Sequence, residues 1–325
     1  MILQRGSHRH RLCLDRVVYY ISTMLKTRNA YIALIFCNIV WACDYPFYNL
    51  VLGRYISPMA MVTASIVIAA LFSLVPMLWE TRERVAPSDR LKILGAAMLM
   101  GVARKLCMMF GLANTSAIDG SIIGTTTPLL VLVLSVIVGV DRFTKMKFLG
   151  LMLGMAGTLA IILSSGSATH TQSSLWGNML IFISSCVSAS YMVLCKRLVG
   201  KYRVTTVLRW IYCASAFVML PIGIDDMLTI DFSGMDTKIL FASLFVLIVP
   251  TYLPNLLLNY SLRATSPTES SIYAYIQPVV AVGLSVAMKL DKLHPDTLLF
   301  ALIIFIGVGM VIGAYRNTSI LKTDK

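Results

Sequence analysis

The sequence predicts an all-α integral membrane protein with ten transmembrane helices, arranged as two five-helix inverted-topology repeats. Of its 325 residues, 58% are hydrophobic and only 13% are charged, whereas soluble domains are about 45–50% apolar and about 25% charged. Ten long apolar runs divide the chain, and the second five repeat the pattern of the first five. This composition excludes an ordinary soluble enzyme, a disordered protein and a secreted disulfide scaffold.

The ten apolar runs each approach the roughly 20 residues that one membrane-spanning helix needs. They lie at about 30–50, 59–79, 91–112, 116–138, 147–164, 175–195, 206–224, 238–261, 270–289 and 298–315. Stretches such as 129–134 are continuously apolar, which favours helices over the alternating strands of a membrane barrel.

The Lys and Arg residues predict the orientation of these helices, because cations collect in cytoplasmic loops. With the N-terminus inside, most of the 28 cations fall in cytoplasmic segments. The cations expected in outer loops are Arg54, Lys238, Lys289 and Lys292. We therefore expect a cell-membrane protein with both termini cytoplasmic, and the net charge of +13 reflects insertion rather than binding to nucleic acid.

The chain divides into four predicted segments. A basic cytoplasmic tail occupies 1–28, the two repeats occupy 29–166 and 174–316, and a second cytoplasmic tail occupies 317–325. The first tail lacks the apolar core of a signal peptide. Met24 directly precedes the first span and is an alternative start.

The two predicted halves match each other without gaps at one constant spacing. The aligned positions are Thr115-Ser116 with Thr265-Ser266, Asp119 with Glu269, Pro128 with Pro278, Asp141-Arg142 with Asp291-Lys292, and Gly157 with Gly307. Because each unit holds an odd number of spans, the second unit enters the membrane from the opposite side. Inverted repeats are typical of secondary transporters, which bind substrate near the midplane between the halves.

The residues that carry this symmetry resemble the EamA-type family of the drug/metabolite transporter superfamily. In the first half the pattern comprises Gly111-Leu112, Thr115-Ser116-Ala117, Pro128, Asp141-Arg142, Gly150 and Gly157. The resemblance implies ten helices in two repeats and the movement of small metabolites by alternating access. Two positions depart from the family pattern: Asp141 and Asp291 replace the usual Glu, and Trp41-Ala42-Cys43-Asp44 replaces the usual Trp-Gly.

Three ionisable residues, Asp44, Arg104 and Lys105, lie inside predicted spans. Each costs about 2.5–3.5 kcal/mol on insertion scales and is therefore a functional candidate. Asp44 and Arg104 lie at equal depth, some 20 Å from the inner ends of their helices, which predicts an ion pair between Asp44 and one of the two cations. The remaining positive charge would then receive an anionic group such as a substrate carboxylate.

These three charges also have structural interpretations, which the sequence leaves open. A permanent ion pair would only hold helices together, and either cation can extend to an interface. Adjacent residues point about 100° apart on a helix, so one cation is expected to face the cavity. Arg104 is favoured because its planar guanidinium binds carboxylates through two hydrogen bonds, and Asp44 is the candidate for carrying a coupling proton.

Prolines and amides predict further binding positions. Pro250 and Pro254 are expected to break or kink the eighth helix, and the matched Pro128 and Pro278 predict bends in the fourth and ninth. Broken helices expose backbone groups to substrate in transporters. Asn255 lies beside one of these breaks, and the alternative for each proline is a packing kink.

Aromatic and amide side chains complete the predicted substrate site. Tyr273 and Gln277 are four residues apart and share one face of an α-helix, although hydrogen bonding between helices is the alternative role. Trp41 lies deep enough to reach the cavity, whereas most such Trp residues anchor at the interface. The glycine rows 150–157 and 307–313 permit close helix packing or a dimer contact, so a monomer and a homodimer both stay open.

The sequence predicts neither an enzyme nor a resident cofactor. It has no Walker motif, no paired-cysteine metal motif and no His spacing of metal-ligand type. The predicted function is secondary active transport of a small polar metabolite, an amino acid or related organic anion, in either direction. The alternatives are a membrane-embedded lipid flippase and a membrane protein without transport activity.

Overall fold

The structure, a computed structural model, describes residues 27–44, 47–48, 50–81, 83–115, 123–164, 174–277, 279–280 and 295–323. Within these residues the protein is helical and contains no strand. Five helices are long and apolar enough to cross a membrane: Pro58–Leu78, Pro87–Ala113, Leu175–Lys201, Val204–Leu228 and Thr237–Ala264. Shorter apolar helices lie at Thr127–Ile137 and Leu299–Tyr315.

The described helices follow one another along the whole predicted membrane region. They are α1 (27–44), α2 (Pro58–Leu74, with a 3₁₀ turn at Val75–Leu78), α3 (Pro87–Ala113), α4 (Thr127–Ile137), α5 (Lys145–Ser164), α6 (Leu175–Lys201), α7 (Val204–Leu228), α8 (Thr237–Ala264), α9 (Pro267–Ser271, with a 3₁₀ turn at Ile272–Tyr275) and α10 (Pro295–Thr323). Each predicted run overlaps one of them. Pro278, Asp291, Lys292 and most of the N-terminal tail lie outside the described residues.

The first apolar run is helical at every residue that the structure describes within it, at 30–44, 47–48 and 50. Asp44 belongs to the α1 part of this run. The next helix has a defined start, since Ser57 accepts a hydrogen bond from the Ala60 N–H at 3.1 Å and Pro58 occupies the first turn.

The third helix contains a wide turn that the sequence analysis missed. Residues Ala97–Ala103 form a π-helix between two α-helical parts, directly before Arg104 and Lys105. Here α3 approaches α7 closely, because a Cβ on Gly101 would lie 1.9 Å from the Ser215 hydroxyl. That hydroxyl donates to the Ala97 carbonyl at 3.1 Å. Such π-segments change the direction of the side chains that follow them.

Of the break or kink predicted at Pro250 and Pro254, the structure corrects the break, because α8 runs through both prolines as one helix. Polar side chains beside them bind the helix backbone: the Tyr212 hydroxyl and the Asn255 amide both donate to the Thr251 carbonyl, at 3.0 and 2.8 Å. These side chains add hydrogen bonds to the helix backbone between the two prolines.

The interruption occurs in another helix instead. Gly223 of α7 has non-helical backbone angles, two residues after Pro221. A Cβ on Gly223 would lie 2.1 Å from the Thr63 hydroxyl of α2, so this position also permits close contact of α2 with α7. By contrast, Pro128 lies in the first turn of α4, directly after a turn at 125–126.

The glycine rows join α5 to α10 within one molecule. A Cβ on Gly150 would meet the Gly307 carbonyl at 2.7 Å, and a Cβ on Gly307 would meet the Gly150 carbonyl at 2.6 Å. Side chains larger than hydrogen would separate these backbones. Gly309, two residues further along α10, has open space at its Cβ position.

A second contact ties the same two helices together through the acidic residue of the family motif. Lys147 of α5 pairs with Asp141 at 2.6 Å and lies 3.8 Å from the centroid of the Tyr315 ring. The Tyr315 hydroxyl of α10 donates to Asp141. Asp141 therefore anchors the α4–α5 connection against α10.

Replacing Gly150 with Ala tests the close approach of α5 and α10. Ala normally stabilises a helix relative to Gly by roughly 0.5–1 kcal/mol, but here its Cβ meets backbone, and overpacking costs typically 1–3 kcal/mol. We expect G150A to lower the melting temperature of the purified protein in detergent. G309A is the matched control and should leave it unchanged or raised. Equal melting temperatures for the two variants would contradict this packing.

Candidate functional site

Asp44 of α1 has its carboxylate enclosed by protein. Its exposed fraction is 6%, and its Oδ1 atom has no hydrogen-bond partner among the described residues. The positive charges of Lys105 and Arg104 both act on it. An unsatisfied carboxylate oxygen in an enclosed position is costly, so it is available to a ligand or a proton.

Of the two adjacent cations Arg104 and Lys105, only Lys105 is buried. Its exposed fraction is 8%, and its ammonium donates to the Ser65 hydroxyl of α2 at 2.7 Å. The predicted direct ion pair is therefore replaced by a longer-range interaction, since neither cation comes within 4.0 Å of Asp44. The reason is geometric: Ser65 offers Lys105 an acceptor on α2.

Arg104 is half-buried, and its side chain is not paired with another described residue. Within the described part of the chain, its guanidinium forms neither a hydrogen bond nor an ion pair, and its backbone carbonyl accepts from the Ser184 hydroxyl at 3.1 Å. Its charge acts on Asp44, Tyr191 and Tyr212. An Arg at this position that lacks a protein partner can accept an anionic ligand.

Two tyrosines whose rings are affected by the charge of Arg104 form hydrogen bonds with α8, the helix that carries Asn255. The Tyr191 hydroxyl of α6 donates to the Asn259 side-chain oxygen at 2.7 Å, and the Asn259 amide donates to the Asn255 carbonyl at 2.8 Å. Tyr212 of α7 donates to Thr251, as described above. Asn255 is 2% exposed, and its amide group is used within its own helix.

Tyr273 and Gln277 form a second polar group, which contacts Tyr31 and Asn38 of α1. The Tyr273 ring stacks on Tyr31 with 6.1 Å between centroids, and Gln277 donates to the Asn38 oxygen at 2.8 Å. The Tyr31 hydroxyl donates to Glu269 at 2.6 Å. Residues 272–275 form a 3₁₀ helix, so the α-helical spacing that placed Tyr273 and Gln277 on one face does not apply there unchanged.

Trp41 is the remaining predicted residue of the substrate site. Trp41 is half-buried and packs against the hydrophobic core. No group of three or more potential His, Cys, Asp or Glu ligands occurs among the residues that the structure describes.

Sequence reasoning missed several members of these groups. Ser65, Tyr191, Tyr212 and Asn38 are single polar residues in apolar runs, and their partners lie on other helices. The usable signal was a polar side chain in a span, which must find a partner away from lipid. Partner identity depends on helix packing, which one sequence does not specify.

A comparison with protein families shows to which family the chain belongs. The model of the EamA-like transporter family matches residues 28–163 and again residues 175–313. The chain belongs to the EamA-like transporter family. It is accordingly a multi-pass membrane protein of a transporter family, whose members are generally not enzymes.

Individual relatives carry the same general description. The chain is 27% identical to the uncharacterized transporter YetK of Bacillus subtilis over 67% of this chain, and it spans 64% of YetK, just under two thirds of its length. It is 22% identical to the uncharacterized transporter YyaM of the same organism, over 90% of this chain and 96% of YyaM. One crystal structure, 15% identical, has a TM-score of 0.70 and covers 88% of this chain and 98% of its own, which shows a shared fold.

Replacing Ser65 with Ala tests the contact that holds Lys105. The variant removes the hydroxyl that accepts from the ammonium, and a buried charged donor without its partner costs about 1–3 kcal/mol. We expect S65A to lower the free energy of unfolding in detergent by that amount. The control is S190A, because the Ser190 hydroxyl bonds only to the Cys186 carbonyl of its own helix. If both variants unfold alike, the Ser65 contact does not carry the burial of Lys105.

Proposed function

We propose that the protein is a secondary active transporter for a small polar metabolite that carries a carboxylate, an amino acid or a related organic anion. It would lie in the cell membrane as ten spans in two inverted five-helix repeats, with both termini in the cytoplasm, and work by alternating access. One observation carries the substrate class: the half-buried Arg104 guanidinium lacks a partner among the described residues and lies near the enclosed Asp44 carboxylate.

The charge arrangement supports a zwitterionic or anionic substrate. A guanidinium binds a carboxylate through two parallel hydrogen bonds, and the free Oδ1 of Asp44 can accept from a substrate ammonium. Lys105 already donates to Ser65, so Arg104 is the cation that is left for the ligand. Substrate binding would relieve two unsatisfied charged groups at once.

The position of these groups supports alternating access. Asp44 and Arg104 each lie about 25 Å along their helices from the helix start, at 1.5 Å per residue. The charge of Arg104 on α3 acts on Tyr191 of α6 and on Tyr212 of α7. In an inverted-repeat transporter, residues of both halves surround the substrate.

Replacing Arg104 tests the substrate class directly. We expect R104Q to lower the initial rate of uptake into proteoliposomes by about 10–100-fold, because a charge-assisted hydrogen bond contributes about 1.5–3 kcal/mol. The substrate is found first by comparing metabolite levels in cells with and without the protein. R90Q is the control, since Arg90 lies exposed on the same helix. Wild-type rates for R104Q with every metabolite of the panel would contradict the proposal.

Asp44 is proposed to carry the coupling proton. We expect D44N to abolish accumulation driven by a pH gradient while retaining exchange of labelled for unlabelled substrate, because exchange needs no net proton movement. Both activities are measured in the same proteoliposomes. Exchange is retained because the side-chain oxygen of Asn still accepts from a substrate ammonium. Gradient-driven accumulation at the wild-type level in D44N would exclude the coupling role, and loss of both activities would contradict it by limiting Asp44 to substrate binding.

A further inference from the structure

A lateral groove lies between α1, α7 and α8, apart from the charged group described above. It encloses about 640 Å³. Ile32 and Phe36 of α1 line one wall, with exposed fractions of 58% and 50%. Tyr260 of α8 lines the other wall and is 41% exposed. The groove is apolar over this length and open along its side.

One end of the groove carries charge. Arg203 and Arg263 lie there together with Glu80. The Arg263 guanidinium has no hydrogen bond or ion pair with any residue that the structure describes. The Arg203 guanidinium makes 3.4 Å contacts to Thr81, while the Arg203 backbone N–H donates to Glu83 at 3.0 Å. Glu80 is already engaged, since it accepts from the Thr205 hydroxyl at 2.7 Å. The two guanidinium groups are therefore available to an anion.

The groove matches the polarity of a lipid and about two thirds of the length of one acyl chain. The charged end lies where α1 begins and α8 ends, and the Ser261 hydroxyl of α8 donates there to the Ala30 carbonyl of α1 at 2.8 Å. From Asn29 to Phe36 the wall rises about 10 Å, against about 15 Å for the hydrocarbon of one leaflet. The distribution of cations predicts that this end faces the cytoplasm, where anionic lipids are attracted by basic residues.

We infer that this groove binds an anionic phospholipid, with its phosphate between Arg203 and Arg263 and one acyl chain against Ile32 and Phe36. Guanidinium groups bind phosphate oxygens through paired hydrogen bonds, and basic pockets between membrane helices bind lipid headgroups. The site is separate from the metabolite site at Arg104, so this lipid is a bound component rather than the proposed cargo.

Brominated lipids provide the test, because bromine on an acyl chain quenches a nearby tryptophan. The variant F36W is reconstituted with phosphatidylcholine that contains increasing fractions of brominated phosphatidylglycerol, and in a parallel series with brominated phosphatidylcholine. Native tryptophan signal is subtracted with the unsubstituted protein. We expect half-maximal quenching at an about tenfold lower fraction of the anionic lipid. F217W is the matched control, since Phe217 is 82% exposed on α7 and should show no preference.

Charge variants then locate the phosphate. We expect the preference of F36W for the anionic lipid to disappear in R203Q/R263Q and to persist in R142Q, which removes an exposed arginine outside the groove. Equal quenching of F36W by the two lipids would overturn the inference, as would the same loss in R142Q. Displacement of the brominated lipid by the transported metabolite would show that the groove is part of the substrate path instead. Metabolite transport itself is measured separately, so failure of either proposal is distinguishable from failure of the other.

Discussion

The central constraint on this protein is the burial of charge in a region where lipid supplies no hydrogen bonds. Asp44 and Lys105 are both more than nine-tenths buried, and each must be satisfied by protein, by water or by a ligand. Lys105 is satisfied by Ser65. The Oδ1 atom of Asp44 and the guanidinium of Arg104 have no such partner in the described part of the chain. The surrounding helices enclose the Asp44 carboxylate and leave the Arg104 guanidinium half-buried.

Three local features of the chain produce this arrangement. The π-helix at Ala97–Ala103 widens α3 just before its two cations, and Gly101 lets that turn approach Ser215 of α7. Along α8, side-chain hydrogen bonds to the Thr251 carbonyl accompany two prolines within an unbroken helix. On the opposite side, Gly150 and Gly307 bring α5 and α10 into backbone contact. Small residues and irregular turns thus decide which side chains face one another.

The sequence was sufficient for the all-helical membrane class and for the family, because apolar runs and the paired motifs are local signals. It also draws attention to Asp44, Arg104 and Lys105, because a charge in an apolar run is conspicuous, and their role in substrate binding stays a prediction. The hydrogen bond between Lys105 and Ser65 could not be predicted from the sequence, because it depends on how α3 continues after the π-helix and packs against α2. Pro250 and Pro254 predict a break or a kink, and the structure excludes the break, since α8 is one helix through both. The interruption at Gly223 of α7, two residues after Pro221, was not predicted.

The measurement that tests the central claim most directly is an experimental structure in lipid nanodiscs with the transported metabolite bound. The account predicts a ligand carboxylate oxygen within about 3.2 Å of the Arg104 guanidinium and a ligand atom or ordered water at the free oxygen of Asp44. A structure in which Arg104 extends to the lipid headgroups, while the metabolite binds elsewhere without contacting Arg104 or Asp44, would contradict it.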